Sequence, residues 1–176
     1  MKHLLIFTCL IGLTGLLACT NSGDTRGYIV KTGDKAPDFT IRYLDGTTAQ
    51  LSDLRGKVVM LQFTASWCGV CRKEMPYIEK DIWQPYKDRP DFALIGIDYK
   101  ESVDTTRQFA NAIPVTYPLT LDENGETFHL YAAKDAGVTR NVIIDRYGTI
   151  VFLTRLYDEQ EFAEMLKVIA QLMVND

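Results

Sequence analysis

The run Lys57 to Ser66 (KVVMLQFTAS) leads directly into Trp67-Cys68-Gly69-Val70-Cys71, and there the chain changes from a strand-like to a helical period. Up to Ser66 the residues are β-branched or large and apolar, which reads as a buried strand. From Cys68 to about Lys87, residues Met75, Ile78, Ile82, Trp83 and Tyr86 fall at three- and four-residue spacings and make one apolar stripe, with a kink predicted at Pro76. A strand that gives way to a helix at two cysteines constrains fold and chemistry together. The first helical turn has unpaired amides and the positive end of the macrodipole, so it stabilises a thiolate at Cys68, the species that attacks disulfides. Cys71 lies one turn along the same face, within the roughly 4.4 to 6.8 Å Cα separation of an unstrained disulfide.

Punctuation and period organise the rest of the chain. Asp38 to Leu44 and Thr47 to Leu51 alternate around the Asp45-Gly46 turn and read as a β-hairpin. Ser52 to Gly56 reads as a short capped turn. Strands are predicted over Phe92 to Tyr99, Pro118 to Asp122, Asn141 to Asp145 and Thr149 to Leu156, and helices over Val103 to Ala112, Glu126 to Ala133 and Asp158 to Val174. Strands alternating with helices, with a hairpin closing the sheet, imply an α/β domain with a mixed sheet flanked by helices. At 176 residues the chain supports one core. Its formal net charge of −4 lacks the basic excess that nucleic-acid binding requires.

Cys9 and Cys19 need a separate account. Leu4 to Ala18 is uncharged and too short, against the roughly 20 residues of a membrane-spanning helix, so it reads as a signal segment. Leu16-Leu17-Ala18-Cys19 resembles the lipobox of bacterial lipoproteins, which implies lipidation of Cys19 after cleavage before it; a plain cleaved signal or an uncleaved anchor is the alternative. The expected organisation is a signal over 1–18, a linker over 19–32 and a folded domain over 33–176, held at the cell envelope facing the periplasm. Cleavage removes Lys2 and no acid, so the lipid and not the surface charge supplies membrane attachment. An exported compartment lets Cys68 and Cys71 oxidise.

Two plainer uses of the CxxC carry little weight. A zinc site needs about four ligands, and beyond Cys19 the chain has only these two cysteines and one histidine, His129, which reads as structural. A structural disulfide across so short a loop constrains little entropy in the unfolded chain. No metal or cofactor is expected.

The chain resembles the thioredoxin-fold, membrane-anchored thiol–disulfide oxidoreductases of the TlpA and ResA type, grouped with the AhpC/TSA redoxins. The resemblance runs from Gly33 to Met173 and rests on Gly33-Asp34-Lys35-Ala36-Pro37-Asp38-Phe39, Leu51-Ser52-Asp53-Leu54-Arg55-Gly56-Lys57, Trp67 to Cys71, Glu74-Met75-Pro76 and Ile144-Asp145-Arg146-Tyr147-Gly148. It implies a thioredoxin fold with an N-terminal hairpin, Cys68 as exposed nucleophile, Cys71 as buried resolving thiol, and Glu74 near the thiols, able to raise their pKa values and move a proton, with a solvated helix glutamate as the equal alternative. The acidic residue that thioredoxins carry six positions before the first cysteine is Gln62 here, which cannot titrate. Trp67 is expected to shield the thiols on one side, with simple packing as the lesser alternative. Where the family has Gly-Val-Pro-Thr with a cis-proline, this chain has Gly137-Val138-Thr139-Arg140. A cis bond before Thr139 would cost roughly 2.5 to 4 kcal/mol, so a trans bond is expected. Val138, Thr139 and Arg140 are the expected client-contact loop, with Arg140 either beside the thiols or solvated.

The resemblance thus implies a reductant of exported protein disulfides supplied by a membrane dithiol partner. Two other readings stay open. A redoxin-type peroxidase is disfavoured because Leu61 and Ala65 stand where a Pro-x-x-x-Thr/Ser-x-x-Cys motif needs proline and hydroxyl. A soft-metal or copper carrier would use both thiolates.

Overall fold

Two sheets organise residues 26–174, which the computed structural model of the chain describes. A hairpin pairs β1 (Thr40–Arg42) antiparallel with β2 (Thr48–Gln50). Its turn is closed by the Asp45 carboxylate, which accepts from the Thr47 N–H (2.9 Å) and hydroxyl (2.6 Å), while Gly46 takes a φ of +87° that favours glycine. The main sheet contains β3 (Val58–Thr64), β4 (Phe92–Tyr99), β5 (Leu119–Asp122), β6 (Arg140–Ile144) and β7 (Ile150–Arg155), in the order β5-β4-β3-β6-β7. Strands β3, β4 and β5 are parallel, and β6 and β7 complete the sheet antiparallel. The helices are α1 (Gly69–Ile78), the three-residue α2 (Gln84–Tyr86), α3 (Val103–Ala112) and α4 (Glu159–Val174). This is the mixed α/β architecture with a hairpin extension that the sequence implies.

Strand β3 is buried at every residue because both faces of the sheet are covered. Val58 and Met60 pack with residues of α1, α3 and α4, while Val59, Leu61 and Phe63 pack with Tyr28, the hairpin and Phe128 to Ala132. The Phe63 ring meets those of Phe128 and Tyr131 at centroid distances of 5.5 Å. Truncating it to alanine would cost about 3 to 5 kcal/mol.

Three local features refine or change the expectations. At Pro76, where a kink is expected, α1 continues to Ile78 and then widens into a π segment, Glu79–Trp83, after the residue whose missing N–H weakens the ladder. The helix expected over 126–133 is reduced to a 3₁₀ turn, Phe128–Leu130. The buried Asp122 carboxylate takes the Thr127 and Phe128 N–H groups at 3.0 and 2.9 Å, fixing a tight turn in place of a longer helix. Packing also begins before Gly33. Tyr28 is buried and bridges to Ala132, and the Ile29 N–H donates to the Tyr131 carbonyl at 2.9 Å. The expected signal segment, Cys9 and Cys19 lie outside the described residues.

Candidate active site

Strand β3 ends at Thr64, and four residues later Cys68 caps α1. Cys68 and Cys71 form a disulfide with a Cα separation of 5.3 Å. The Cys68 sulfur accepts the Cys71 N–H at 3.2 Å, so the helix start directs one of its unpaired amides at the sulfur. Cys68 retains 8% exposure and Cys71 none. Cys68 is therefore the accessible sulfur, although more enclosed than the sequence implied.

The loop before β6 closes over the pair. Thr139 Oγ1 lies 3.2 Å from each sulfur, and the bond preceding it is trans, as are all peptides among the described residues. The hydroxyl can donate to whichever sulfur carries charge, a contact that proline at this position could not make. The Thr139 carbonyl accepts the Leu156 N–H at 3.1 Å, which ties the loop to the end of β7. Val138 is buried in the same cluster as both cysteines, so its side chain is core. Trp67 is 64% exposed: its ring stands open to solvent and to a docked chain and is not packed. Ser66, just before it, is held by Glu101, whose carboxylate accepts the Ser66 N–H and hydroxyl at 2.6 Å each.

Glu74 sits one turn after Cys71 and is 2% exposed. Its Oε1 accepts from Asn141 Nδ2 at 2.7 Å, and its Oε2 has no hydrogen-bond partner among the described residues. Burial pushes the carboxyl up from 4.5 to about 7, against the lowering effect of the Asn141 and Gln62 amides. Asn141 Nδ2 also donates to Thr154 Oγ1 at 2.9 Å, and Gln62 Oε1 accepts the Tyr117 hydroxyl at 2.7 Å. Glu74 thus meets the middle of a buried polar row, Tyr117, Gln62, Asn141 and Thr154, that runs across the sheet. A carboxyl that titrates near neutrality in this place can take or return a proton.

Arg140 does not join the sulfurs and is not solvated. It is 1% exposed, its guanidinium lies 4.5 Å from the Tyr28 ring centroid, and it makes no hydrogen bond to either cysteine. Strand alternation explains this, since Asn141 turns towards Glu74 and its neighbour Arg140 must face the other way. Sequence reasoning missed Asn141, Tyr117 and Asp98. Asp98 is fully buried with both carboxylate oxygens unpartnered, and burial beside Glu101 raises its pKa to about 8. A lone acid in the apolar run FALIGIDY was the available signal for it.

A sulfur pair that receives a helix-terminal amide and a hydroxyl, with a titratable acid one turn away, is suited to exchanging disulfides, and fold and site together define a thiol–disulfide oxidoreductase of the thioredoxin fold. The chain belongs to the AhpC/TSA family, whose sequence profile matches residues 32–153. It is 41% identical over 108 residues to the thiol–disulfide oxidoreductase ResA of Oceanobacillus iheyensis, a match spanning 58% of this chain and 55% of that protein. It is 34% identical over 125 residues to the thioredoxin-like protein YneN of Bacillus subtilis, covering 69% of this chain and 71% of YneN. Among solved structures, it is similar to a solution structure from Bacteroides thetaiotaomicron provisionally described as a protein disulfide isomerase. The identity is 60%, the TM-score is 0.82, and the match covers 85% of this chain and 94% of that one. A crystal structure from Chlorobium tepidum provisionally described as the thiol:disulfide interchange protein DsbE matches at 28% identity and a TM-score of 0.70, covering 81% and 99%.

Proposed function

We propose that the protein is a lipid-anchored reductant of disulfides in exported proteins, recharged by a dithiol partner in the membrane. The observation that carries the direction is the buried Glu74 one turn from Cys71. A carboxyl that ionises near neutrality opposes a second negative charge beside it, which disfavours the thiolate and hence the reduced pair. A pair whose reduced form is not stabilised gives up electrons readily, the opposite of a strong oxidase.

In this reading the Cys68 thiolate attacks one sulfur of a client disulfide, forms a mixed disulfide and releases the other client sulfur as a thiolate that takes a proton from water. Cys71 loses its proton to the Glu74 carboxylate and attacks the Cys68 sulfur. The Cys68–Cys71 bond forms, the bond to the client breaks, and the second client sulfur leaves as a thiolate that takes back the proton from Glu74. The membrane dithiol then reduces Cys68–Cys71 by the same exchange. The anchor is supported by Leu16-Leu17-Ala18-Cys19 and by a charge that offers no attraction to anionic headgroups. Among the described residues no helix is long and apolar enough to cross a membrane.

The test is the redox equilibrium of Cys68 and Cys71 in dithiol buffers, read by thiol alkylation with a Cys68→Ser control. A couple at or below roughly −270 mV is expected; one near roughly −120 mV would reverse the direction proposed. Cys19→Ser should shift the protein from the membrane to the soluble fraction, and an unchanged distribution would remove the lipid anchor.

A further inference from the structure

The Tyr28 side of β6 holds a cation that the described residues leave without an acid. Arg140 Nε and Nη1 are buried and have no hydrogen-bond acceptor among the described residues, although an arginine side chain keeps its charge in proteins. The Tyr28 ring face is its main compensation. The antiparallel register pairs Arg140 with Arg155, so a second guanidinium lies on the same face directly across the strand pair. Like charges in that relation are destabilising. Neither has a carboxylate within salt-bridge distance among the described residues. Arg26 also reaches this corner, where it is occupied by the Glu161 carboxylate and the Arg155 carbonyl. Three arginines therefore meet in a chain whose net charge is −4.

Beside them is an open cleft of about 260 Å³, lined by Arg26, Gly27, Arg140, Arg155 and the loop from Asp135 to Gly137. Gly27 has a φ of +79°, and a Cβ there would stand 2.7 Å from Arg140 Nη2, so only glycine leaves the guanidinium in place. We propose that this cleft is a carboxylate-binding site in which Arg140 and Arg155 together receive one carboxylate, supplied either by an acidic side chain of a polypeptide docked at Cys68–Cys71 or by a small free carboxylic acid. The planar forks of two arginines match a carboxylate's paired oxygens. The polypeptide source rests on the function proposed above. Thr139, whose hydroxyl touches both sulfurs, directly precedes Arg140, so the cleft lies at the same end of β6 as the sulfurs but on the opposite, Tyr28 side of the sheet, where only a polypeptide that wraps this end would reach it. At roughly 3.3 Å per extended residue, an acid three positions from a client cysteine reaches about 10 Å from it. Asp135, at the mouth of the cleft, and Glu161, which holds Arg26 and accepts the Arg155 N–H, are the described carboxylates that would compete.

The test has two arms. In the first, the oxidised protein is titrated with sodium acetate against sodium chloride at constant ionic strength, and the Arg140 Nε–H and the Gly27 and Gly137 amides are followed by NMR. Saturable shifts with acetate only are expected, weakened about tenfold in the exposed-site variant Arg155→Gln and strengthened in Asp135→Asn. Absence of saturation, or an unchanged affinity in Arg155→Gln, would overturn the proposal without requiring the buried Arg140 to be replaced.

The second arm uses two blocked peptides carrying a cysteine as a mixed disulfide with 2-thiopyridine and, three residues away, Glu or Gln. The reduced protein's Cys68 thiolate attacks the peptide sulfur, the Cys68–peptide disulfide forms, and 2-thiopyridone leaves with the electron pair of the broken bond. The Glu peptide should react about tenfold faster at low salt, and Arg155→Gln or added salt should erase the difference. Equal rates alongside acetate saturation support the site and assign it to a free carboxylate. If acetate saturates but neither peptide reacts, the site stands and the exchange reading fails.

Discussion

Replacing Glu74 by glutamine in the oxidised protein should flatten its stability between pH 4.5 and 7. The folded carboxyl titrates at about 7, against 4.5 in the ordinary case, because burial disfavours its charge. The folded state therefore binds the proton more tightly than the unfolded state does. Stability that is fully present below pH 4.5 falls as pH rises and is lost once pH passes 7. At about 1.4 kcal/mol for each tenfold difference in proton affinity, the loss totals about 3 kcal/mol. Glutamine keeps the Oε1 that accepts from Asn141 Nδ2 but places an amide where the unpartnered Oε2 stood. That exchange adds an offset independent of pH, whereas the slope reads the ionisation alone. The assay is urea unfolding of both proteins from pH 4 to 8, with the disulfide intact. The difference between the two stabilities should move by about 3 kcal/mol in favour of the variant as pH rises. Parallel curves over the whole range would refute the reasoning, since they would show that Glu74 ionises as freely folded as unfolded. Subtracting the curves also removes Asp98, which contributes with the same sign in both.

Thr139→Ala removes the hydroxyl 3.2 Å from each sulfur and should displace the pH–rate profile for alkylation of the reduced Cys68 thiol to higher pH, because the thiolate loses a donor. An unmoved profile would leave the hydroxyl a packing contact. Tyr117→Phe strands the buried Gln62 Oε1 and should destabilise the protein by about 1 to 3 kcal/mol at every pH between 4 and 8; a loss under 0.5 kcal/mol, on the order of a surface substitution, would contradict the bond. Asp98→Asn should gain stability relative to the parent as pH rises from about 4 to about 8, because over that window the unfolded carboxyl loses the proton that the folded one still holds. Equal pH dependence of the two proteins in thermal unfolding would place the Asp98 charge outside the core.

The legible parts of the fold were those written in local sequence. The hairpin lay in Asp45-Gly46, the central strand in an uninterrupted apolar run, and α4 in the spacing of Phe162, Met165 and Ile169, all of which the structure buries. The cysteines and Glu74 were legible because they share one helix and helical spacing sets their separation. What stayed hidden depends on residues far apart in the chain. Thr139 meets sulfurs 68 and 71 positions away, Asn141 meets Glu74 across 67, and Tyr117 meets Gln62 across 55. Nothing local says which face Arg140 takes, and the apolar period over 126–133 could not reveal that Asp122 would claim the amides and hold the segment to a single turn.

Residues 139, 140 and 141 show why register, more than composition, sets the chemistry of this site. Thr139 reaches the sulfurs, Arg140 the Tyr28 ring and Asn141 the Glu74 carboxylate, three environments served by consecutive residues. Both neighbouring strands fix that assignment: β3 pairs Gln62 with Asn141 and Phe63 with Arg140, while β7 pairs Thr154 with Asn141 and Arg155 with Arg140. A slip of one residue would turn the guanidinium towards Glu74, where a cation would pull the carboxyl back down and remove its ability to exchange a proton near neutrality. The irregularity between β6 and β7 falls at Ile143 and Ile144, beyond these three residues, so the strand accommodates its shift without moving them. The raised pKa of Glu74 is thus a property of sheet pairing as much as of burial, because the pairing sends the nearest cation in β6 to the opposite face.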